Sequence, residues 1–406
     1  MKGHTVSDSY FSTTYAEARR RFTDAARTVG ANVHSYKVDS APPDDLTIDV
    51  AVLGSDDAPA LVVSSGVHGV EGFFGSAVQL ALLDRLNDAN PRKNIRYVLI
   101  HGINPYGFAH LRRCNEDNVD LNRNFLIDTD SFAGAPDNYP RLDGFLNPRS
   151  RRWRFVPFKP KLLLKLRLLW YAKLIGPQEL EEAIMAGQYE YPLGLSFGGK
   201  DPCKSTQIVQ DNCDSWLPAS QKIMHIDFHT GLGPFASYEL LLTELSSSEH
   251  FDWYADTFGA DCVERAAQFR RSGLFDEWMQ SHFCERDYRI VCAEFGTYNP
   301  VRILFAMRAE NRVHHHYPES SWYYRRAKKE LKKCFCPTSR YWRRRAVESG
   351  LRIIDQGIQA LSTSDSTPDR SASPPATAQA ESIGRYVSDR EETARHAASK
   401  NVDQEA

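Results

Sequence analysis

Leu61-Val-Val-Ser-Ser-Gly-Val-His68-Gly-Val-Glu71-Gly72 is the stretch that decides how this chain reads. The run Ala60 to Ser65 is short and continuously apolar up to its two serines, the composition of a central strand covered on both faces. It ends in a glycine turn, and Gly72 to Leu86 then takes up helical periodicity. An imidazole and a carboxylate stand three residues apart at the mouth of that strand. This spacing lets both side chains meet one ion from the first turn of a helix. Zinc held by two histidines and one glutamate, with water in the fourth position, is a hydrolytic centre.

Outward from this point the order is strand, helix, strand, because Ile95 to His101 is a second buried run. That order predicts an α/β sheet with helices on both faces. Leu46 to Leu53 alternates as a strand, and Tyr10 to Val29 reads as an amphipathic helix with Ser12 or Thr13 as N-cap. Met224 to His229, Tyr238 to Thr243 and Ile290 to Phe295 are further strands, and Arg340 to Leu361 is a closing helix. The expected fold class is three-layer α/β/α with a central mixed, mostly parallel sheet. Residues 1–361 are expected to form one catalytic domain, interrupted by a less regular basic insertion at about 128–221 with a helix over Leu162 to Leu174. From Ser362 the chain turns to Ser, Thr, Pro and Ala without apolar period, so 362–406 reads as a disordered tail.

The 406 residues are 42% hydrophobic and 25% charged, with a formal net charge of -2, which suits a globular chain and makes no global case for nucleic-acid binding. The N-terminus lacks the apolar core of a leader, and no run approaches the roughly 20 residues of a bilayer span. Eight cysteines are scattered without a C-x-x-C pair, the pattern of reduced thiols in a cytoplasmic protein. Arg149 to Lys173 and Arg325 to Arg345 are basic against this neutral average. Both read as solvated helix faces or as contacts for acidic surfaces. Leu162 to Trp170, with Lys161, Lys165 and Arg167, also has the make-up of a helix lying on a membrane.

Four more elements fall at predicted strand ends or the turns after them: Asn104-Pro-Tyr-Gly107, Arg113-Cys-Asn-Glu-Asp-Asn-Val-Asp120-Leu-Asn122-Arg123-Asn124-Phe, His225-Ile-Asp227-Phe-His229-Thr-Gly231, and Val291-Cys-Ala-Glu294-Phe-Gly296. Open α/β sheets bind ligands outside the carboxyl ends of their strands. His68, Glu71 and His229 then make a metal tripod and leave Glu294 as a free carboxylate, the parts of metal-assisted hydrolysis. His225 shares a strand face with Asp227 and His229 and competes as ligand, but the Thr-Gly turn favours His229. Asp120 and Asp227 suit either acceptors for a ligating imidazole N–H or caps of nearby turns. His314-His315-His316 point in different directions on regular structure, and Cys334-Phe-Cys336 has no partner motif.

In this order the motifs resemble the zinc metallocarboxypeptidases, and most closely an uncharacterised bacterial branch, a carboxypeptidase-like domain of unknown function. The resemblance runs from about Tyr10 to Tyr317 and rests on Ser65-Gly-Val-His-Gly-Val-Glu-Gly-Phe-Phe-Gly-Ser and Asn115-Glu-Asp-Asn-Val-Asp-Leu-Asn-Arg-Asn-Phe. It implies one Zn2+ held by His68, Glu71 and His229, with Glu294 as the base that activates water. It implies that Asn122 and Arg123 grip a substrate carboxylate, and that Arg113, or Arg112 if the register slips, polarises the scissile carbonyl. The expected substrate is a peptide that loses its C-terminal residue. An N-acyl amino acid, cleaved as by aspartoacylase- or desuccinylase-like deacylases with the same metal core, is the second expectation. A non-catalytic metal-binding module that docks acidic partners is the third. The family's mobile substrate-binding tyrosine has only Tyr298 as a candidate, and 128–221 has no counterpart in the peptidases proper.

Overall fold

The computed structural model describes residues 6–38, 45–89, 94–127, 130–149, 161–242, 248–265 and 271–362. Of the tail expected over 362–406, Ser362 ends the helix Arg340–Ser362, and 363–406, like 150–160 of the basic insertion, lie outside the described residues. Among the described residues eight strands form one sheet: β1 (Asn32–Lys37), β2 (Thr47–Leu53), β3 (Ala60–Ser65), β4 (Arg96–His101), β5 (Lys222–Thr230), β6 (Tyr238–Leu242), β7 (Val263–Arg265) and β8 (Asp287–Phe295). Their order is β1-β2-β4-β3-β5-β8-β6-β7. The centre, β4-β3-β5-β8, is parallel, and antiparallel pairs join β1 to β2, β2 to β4 and β6 to β8.

The alternation within β3 shows how the layers arise. Leu61 and Val63 join a core under the helices Tyr15–Thr28, Gly72–Ala89 and Arg340–Ser362. Ala60 and Val62 join the opposite core, under Lys204–Trp216 and Phe275–His282. Every β3 side chain is therefore buried, the outcome expected of a parallel central strand. A third apolar cluster, Tyr139, Leu142, Phe145, Leu164, Tyr171 and Leu180 among it, packs the insertion helices Tyr139–Leu146, Lys161–Ile175 and Pro177–Met185 against Leu304.

Several boundaries differ from the sequence reading. The first long helix is capped by Thr14, not Ser12 or Thr13: its hydroxyl accepts from Glu17 N at 3.2 Å, while the Glu17 carboxylate takes the Thr13 N–H and O–H at 2.7 Å each. Glu17 thus reaches past the cap residue to the one before it, a variant of the capping box in which Thr13 supplies the N–H. Two strands were not anticipated. β1 is an exposed edge with little apolar content, and β7 is only three residues long.

Candidate metal centre

The turn after β3 is locked by close backbone approach. Gly66 has φ +75°, and a Cβ on Gly69 would stand 2.2 Å from Gly107 C. Gly69 N donates to Arg113 O at 3.2 Å and Val70 N to Arg112 O at 2.7 Å. Asn104 joins the same corner: its Oδ1 accepts from Gly107 N at 2.8 Å and its Nδ2 donates to Arg113 O at 3.0 Å. Three motifs separated in sequence thus form one hydrogen-bonded unit that fixes His68, Glu71 and Arg113.

Register supplies the rest. β3 pairs with β5 and β5 with β8, so His229 lies directly beside Glu294 at the carboxyl edge of the sheet. His68 Nδ1 stands 3.0 Å from Glu71 Oε1, His229 Nδ1 stands 3.3 Å from Glu71 Oε2, and the two Nδ1 atoms are 3.2 Å apart. All three residues are buried. The far nitrogens are held by carboxylates: His68 Nε2 by Asp120 at 3.1 Å and His229 Nε2 by Asp227 at 2.6 Å. A carboxylate on the far nitrogen fixes the tautomer and leaves the near nitrogen's lone pair for a metal. Two nitrogens and a carboxylate converging in this way fit zinc.

Besides meeting the His68 imidazole, Asp120 accepts at Oδ1 from Asn122 N at 3.1 Å and caps the turn Leu121–Arg123. His225 faces away from the tripod: its Nε2 meets Ser64 Oγ at 2.7 Å and its Nδ1 meets the Tyr288 hydroxyl at 2.6 Å. Ser64 also donates to Asp227 at 2.6 Å, so it steadies the acceptor of His229.

Burial works to raise the Glu71 pKa, yet the charge of His68 and the hydrogen bonds from both histidines hold it well below the usual carboxylate range. Glu294 goes the other way. Burial and the charge of Glu71 push its carboxyl up to about 7, while its Oε1 accepts from Leu232 N at 2.9 Å. A carboxylate poised near neutrality suits proton transfer at working pH.

Arg113 donates from Nε to Asp120 at 3.0 Å and from Nη1 to Glu71 at 3.3 Å. Arg112 is turned into the interior, with Glu310, Asn118, Asn311 and the Asn115 carbonyl as partners. Asn122 Oδ1 accepts from Phe275 N at 2.9 Å, which orients its amide. Arg123 is buried, donates to the carbonyls of Asn122 and Met185, and has Nε without a partner. Burial, with Arg271 and Arg113 adding to it against Asp120, lowers its pKa to about 10.

A cavity of about 460 Å³ opens over these groups and is lined by His68, Arg113, Asn122, Arg123, His229 and Glu294. Its other wall is largely apolar and comes partly from the insertion, through Leu168, Leu180, Ile184 and Met185. Arg271, Asp276 and Cys292 also line it and were not singled out in the sequence. Cys292 was within reach of that reading, since it precedes Glu294 by two on a strand and shares its face. Arg271 lies outside any motif. Tyr298 does not line the cavity. It packs against Phe235 and under the Arg302 guanidinium, 3.9 Å from its ring centroid. His315 and His316 line a separate cavity of about 380 Å³, and among the described residues neither the histidine triplet nor Cys334 and Cys336 belongs to a metal-competent group.

Residues 11–349 match the model of a family described as a protein of unknown function, DUF2817. The chain belongs to that family. No curated protein matches it in sequence. Among solved structures it is similar to carboxypeptidase A from Helicoverpa armigera, at 12% identity over 86% of this chain and 74% of that one, with a TM-score of 0.45. It is similar to a metallo-carboxypeptidase from Burkholderia cenocepacia, at 12% identity over 85% and 70%, with a TM-score of 0.41. It is also similar to thrombin-activatable fibrinolysis inhibitor, at 11% identity over 86% and 74%, with a TM-score of 0.49. These are likenesses in the path of the chain, and no statement about activity follows from them.

Proposed function

We propose that this DUF2817 chain is a zinc-dependent hydrolase that cleaves an amide bond next to a free carboxylate, releasing the C-terminal residue of a peptide. The observation that carries the reading is the convergence of His68 Nδ1, His229 Nδ1 and the Glu71 carboxylate beneath a cavity that also holds Glu294, Arg113, Asn122 and Arg123. Zinc on the three ligands would supply Lewis acidity, lowering the pKa of a water and polarising a carbonyl. Glu294 takes the proton of the attacking water and returns it to the leaving amine. Arg113, anchored through Nε and Nη1, presents its remaining Nη2 to the carbonyl oxygen as negative charge develops there. Arg123 and the Asn122 amide hold the terminal carboxylate, for which a guanidinium offers a planar fork. The apolar wall accommodates an apolar terminal side chain. The catalytic unit in this reading spans 1–361.

One observation favours the second reading, deacylation of N-acyl amino acids. Insertion residues Leu180, Ile184 and Met185 wall one side of the cavity, an enclosure that suits a short acyl amino acid. Mass-spectrometric product analysis separates the two. Zinc-loaded protein is incubated with short peptides and N-acyl amino acids, beside a Glu294→Gln control that retains metal. Loss of single C-terminal residues is expected, reduced by roughly 10²–10⁴ in the control. Cleavage of acyl amino acids alone moves the activity to deacylation. Products that persist undiminished in the control refute the role of Glu294.

A further inference from the structure

Among the described residues the insertion helix Lys161–Ile175 stands apart from the other helices by its exposed leucines. Leu162, Leu163, Leu166, Leu169, Trp170 and Leu174 are each 52–66% exposed, and they make up six of the ten exposed large apolar side chains among the described residues. Their spacing places them on one stripe, while Leu164 and Tyr171 on the opposite side are buried against the insertion core. Lys165 and Arg167 flank the stripe at helical spacing, one to each side. An outward face of leucine and tryptophan bordered by cations is the reverse of an ordinary surface helix, which turns its leucines inward.

Charge identifies what covers this face. Between Asp143 and Glu179 the chain carries nine cationic side chains, Arg149, Arg151, Arg152, Arg154, Lys159, Lys161, Lys165, Arg167 and Lys173, and no acidic one. A second copy is a poor occupant, because a two-fold contact brings the same cations face to face. Area argues the same way. A 15-residue helix is about 22 Å long and about 10 Å wide, so its face offers on the order of 200 Å² against the roughly 800 Å² per partner of a stable dimer. In the other basic segment several cations find acceptors within the molecule, Lys328 on Glu310, Lys332 on the Thr13 carbonyl and Arg343 on Asp8. In the insertion, Arg149 pairs with Asp143 and Arg167 meets the Tyr171 hydroxyl, and Lys165 and Lys173 are exposed on the helix.

We propose that Lys161–Ile175 is a docking element for an anionic lipid bilayer, lying in the plane of the interface with its leucine face inserted and its cations among the headgroups. The helix is too short to cross, and no helix of the described residues is long and apolar enough to do so. Low net charge of the whole chain does not oppose this, since the field of a bilayer is felt only within about a Debye length of its surface. Docking also has a consequence for access. Leu168 of this helix and Pro177, Leu180 and Ile184 just beyond it line the catalytic cavity, so the cavity would be held beside the bilayer.

The test is vesicle flotation of the full chain with phosphatidylcholine vesicles and with vesicles carrying a third of their lipid as phosphatidylglycerol, at low and at high salt. Binding to anionic vesicles is expected to exceed binding to neutral ones at least tenfold, and to persist in part at high salt because the leucines are inserted. Leu166→Glu with Trp170→Glu should abolish it at both salts. Lys165→Glu with Arg167→Glu should remove the preference for anionic lipid. None of these four residues lines the cavity, and an unchanged circular dichroism melt establishes that the variants fold. No binding to either vesicle by the wild type overturns the proposal. So does binding that the L166E/W170E variant retains, or a concentration-dependent dimer in ultracentrifugation that this variant dissolves.

Discussion

Replacing Glu310 by Gln tests how the corner that carries the candidate site is held. Glu310 Oε1 accepts from Arg112 Nε at 3.0 Å and from Lys328 Nζ at 2.6 Å, and all three side chains are buried. Arg112 in turn lends its carbonyl to Val70 N, one residue from Glu71, the proposed ligand. Burial alone would raise the Glu310 carboxyl, but the charges of Arg112 and Lys328 override it and bring the group down to about 2 from 4.5. At about 1.4 kcal/mol per unit, that difference stabilises the folded state by about 3 kcal/mol. Breaking a buried pair from one side costs a similar amount, about 3–5 kcal/mol, because the remaining charges keep no counterion. Lys328 softens the loss, since burial and Arg112 already bring its ammonium down to about 8 and it sheds its proton readily. A carboxyl whose folded pKa is depressed contributes fully above its unfolded value, and that contribution fades as pH falls from about 4.5 toward about 2. Urea unfolding followed by circular dichroism should therefore show Glu310→Gln less stable by about 3 kcal/mol near pH 7, with the gap narrowing strongly near pH 3. A gap under about 0.5 kcal/mol near neutrality, or one that stays constant into acid, refutes the assignment.

Three further outcomes follow from the same geometry. Asp227→Asn leaves His229 Nε2 without its anionic acceptor and should weaken zinc binding roughly 10–100-fold in a chelator competition, and an unchanged affinity would remove Asp227 from the metal's support. Gly69→Ala drives a methyl into the Gly107 backbone and should cost more than about 2 kcal/mol of stability with loss of bound metal, whereas a wild-type melt would show that the loop has room. Arg123→Lys keeps the charge and loses the fork. It should raise KM about tenfold or more with metal content and kcat little changed, and a fall in kcat alone would assign Arg123 to the transition state.

Much of this molecule was legible because its chemistry is local. The apolar run of β3, the glycine turn and the H-x-x-E spacing needed only the period of a strand and the pitch of a helix. The helices Tyr15–Thr28, Gly72–Ala89, Lys161–Ile175 and Arg340–Ser362 and the parallel centre followed from such segments, while Lys204–Trp216 and Pro300–His316 were not read from the sequence. Edges and caps were less visible. β1 exposes most of its residues, so no burial pattern marked it, and the Thr14 cap differs from its neighbours Ser12 and Thr13 only by the turn it happens to close.

Choices between neighbouring residues needed the folded chain. Arg112 and Arg113 are equivalent in sequence, and a helix almost 200 positions away decides between them by offering Glu310 to the first, which leaves the second to the cavity. His225 and His229 share a strand face, and Ser64 and Tyr288 occupy the first. The apolar wall of the cavity and the position of Arg271 were equally out of reach, whereas the outward leucines of Lys161–Ile175 agree with the membrane-surface make-up read for Leu162 to Trp170. Sequence determined which groups are available, since residue type and local period set each donor and each element. Only the tertiary structure decided which of them meet, because burial and hydrogen-bond satisfaction are settled by partners far away along the chain.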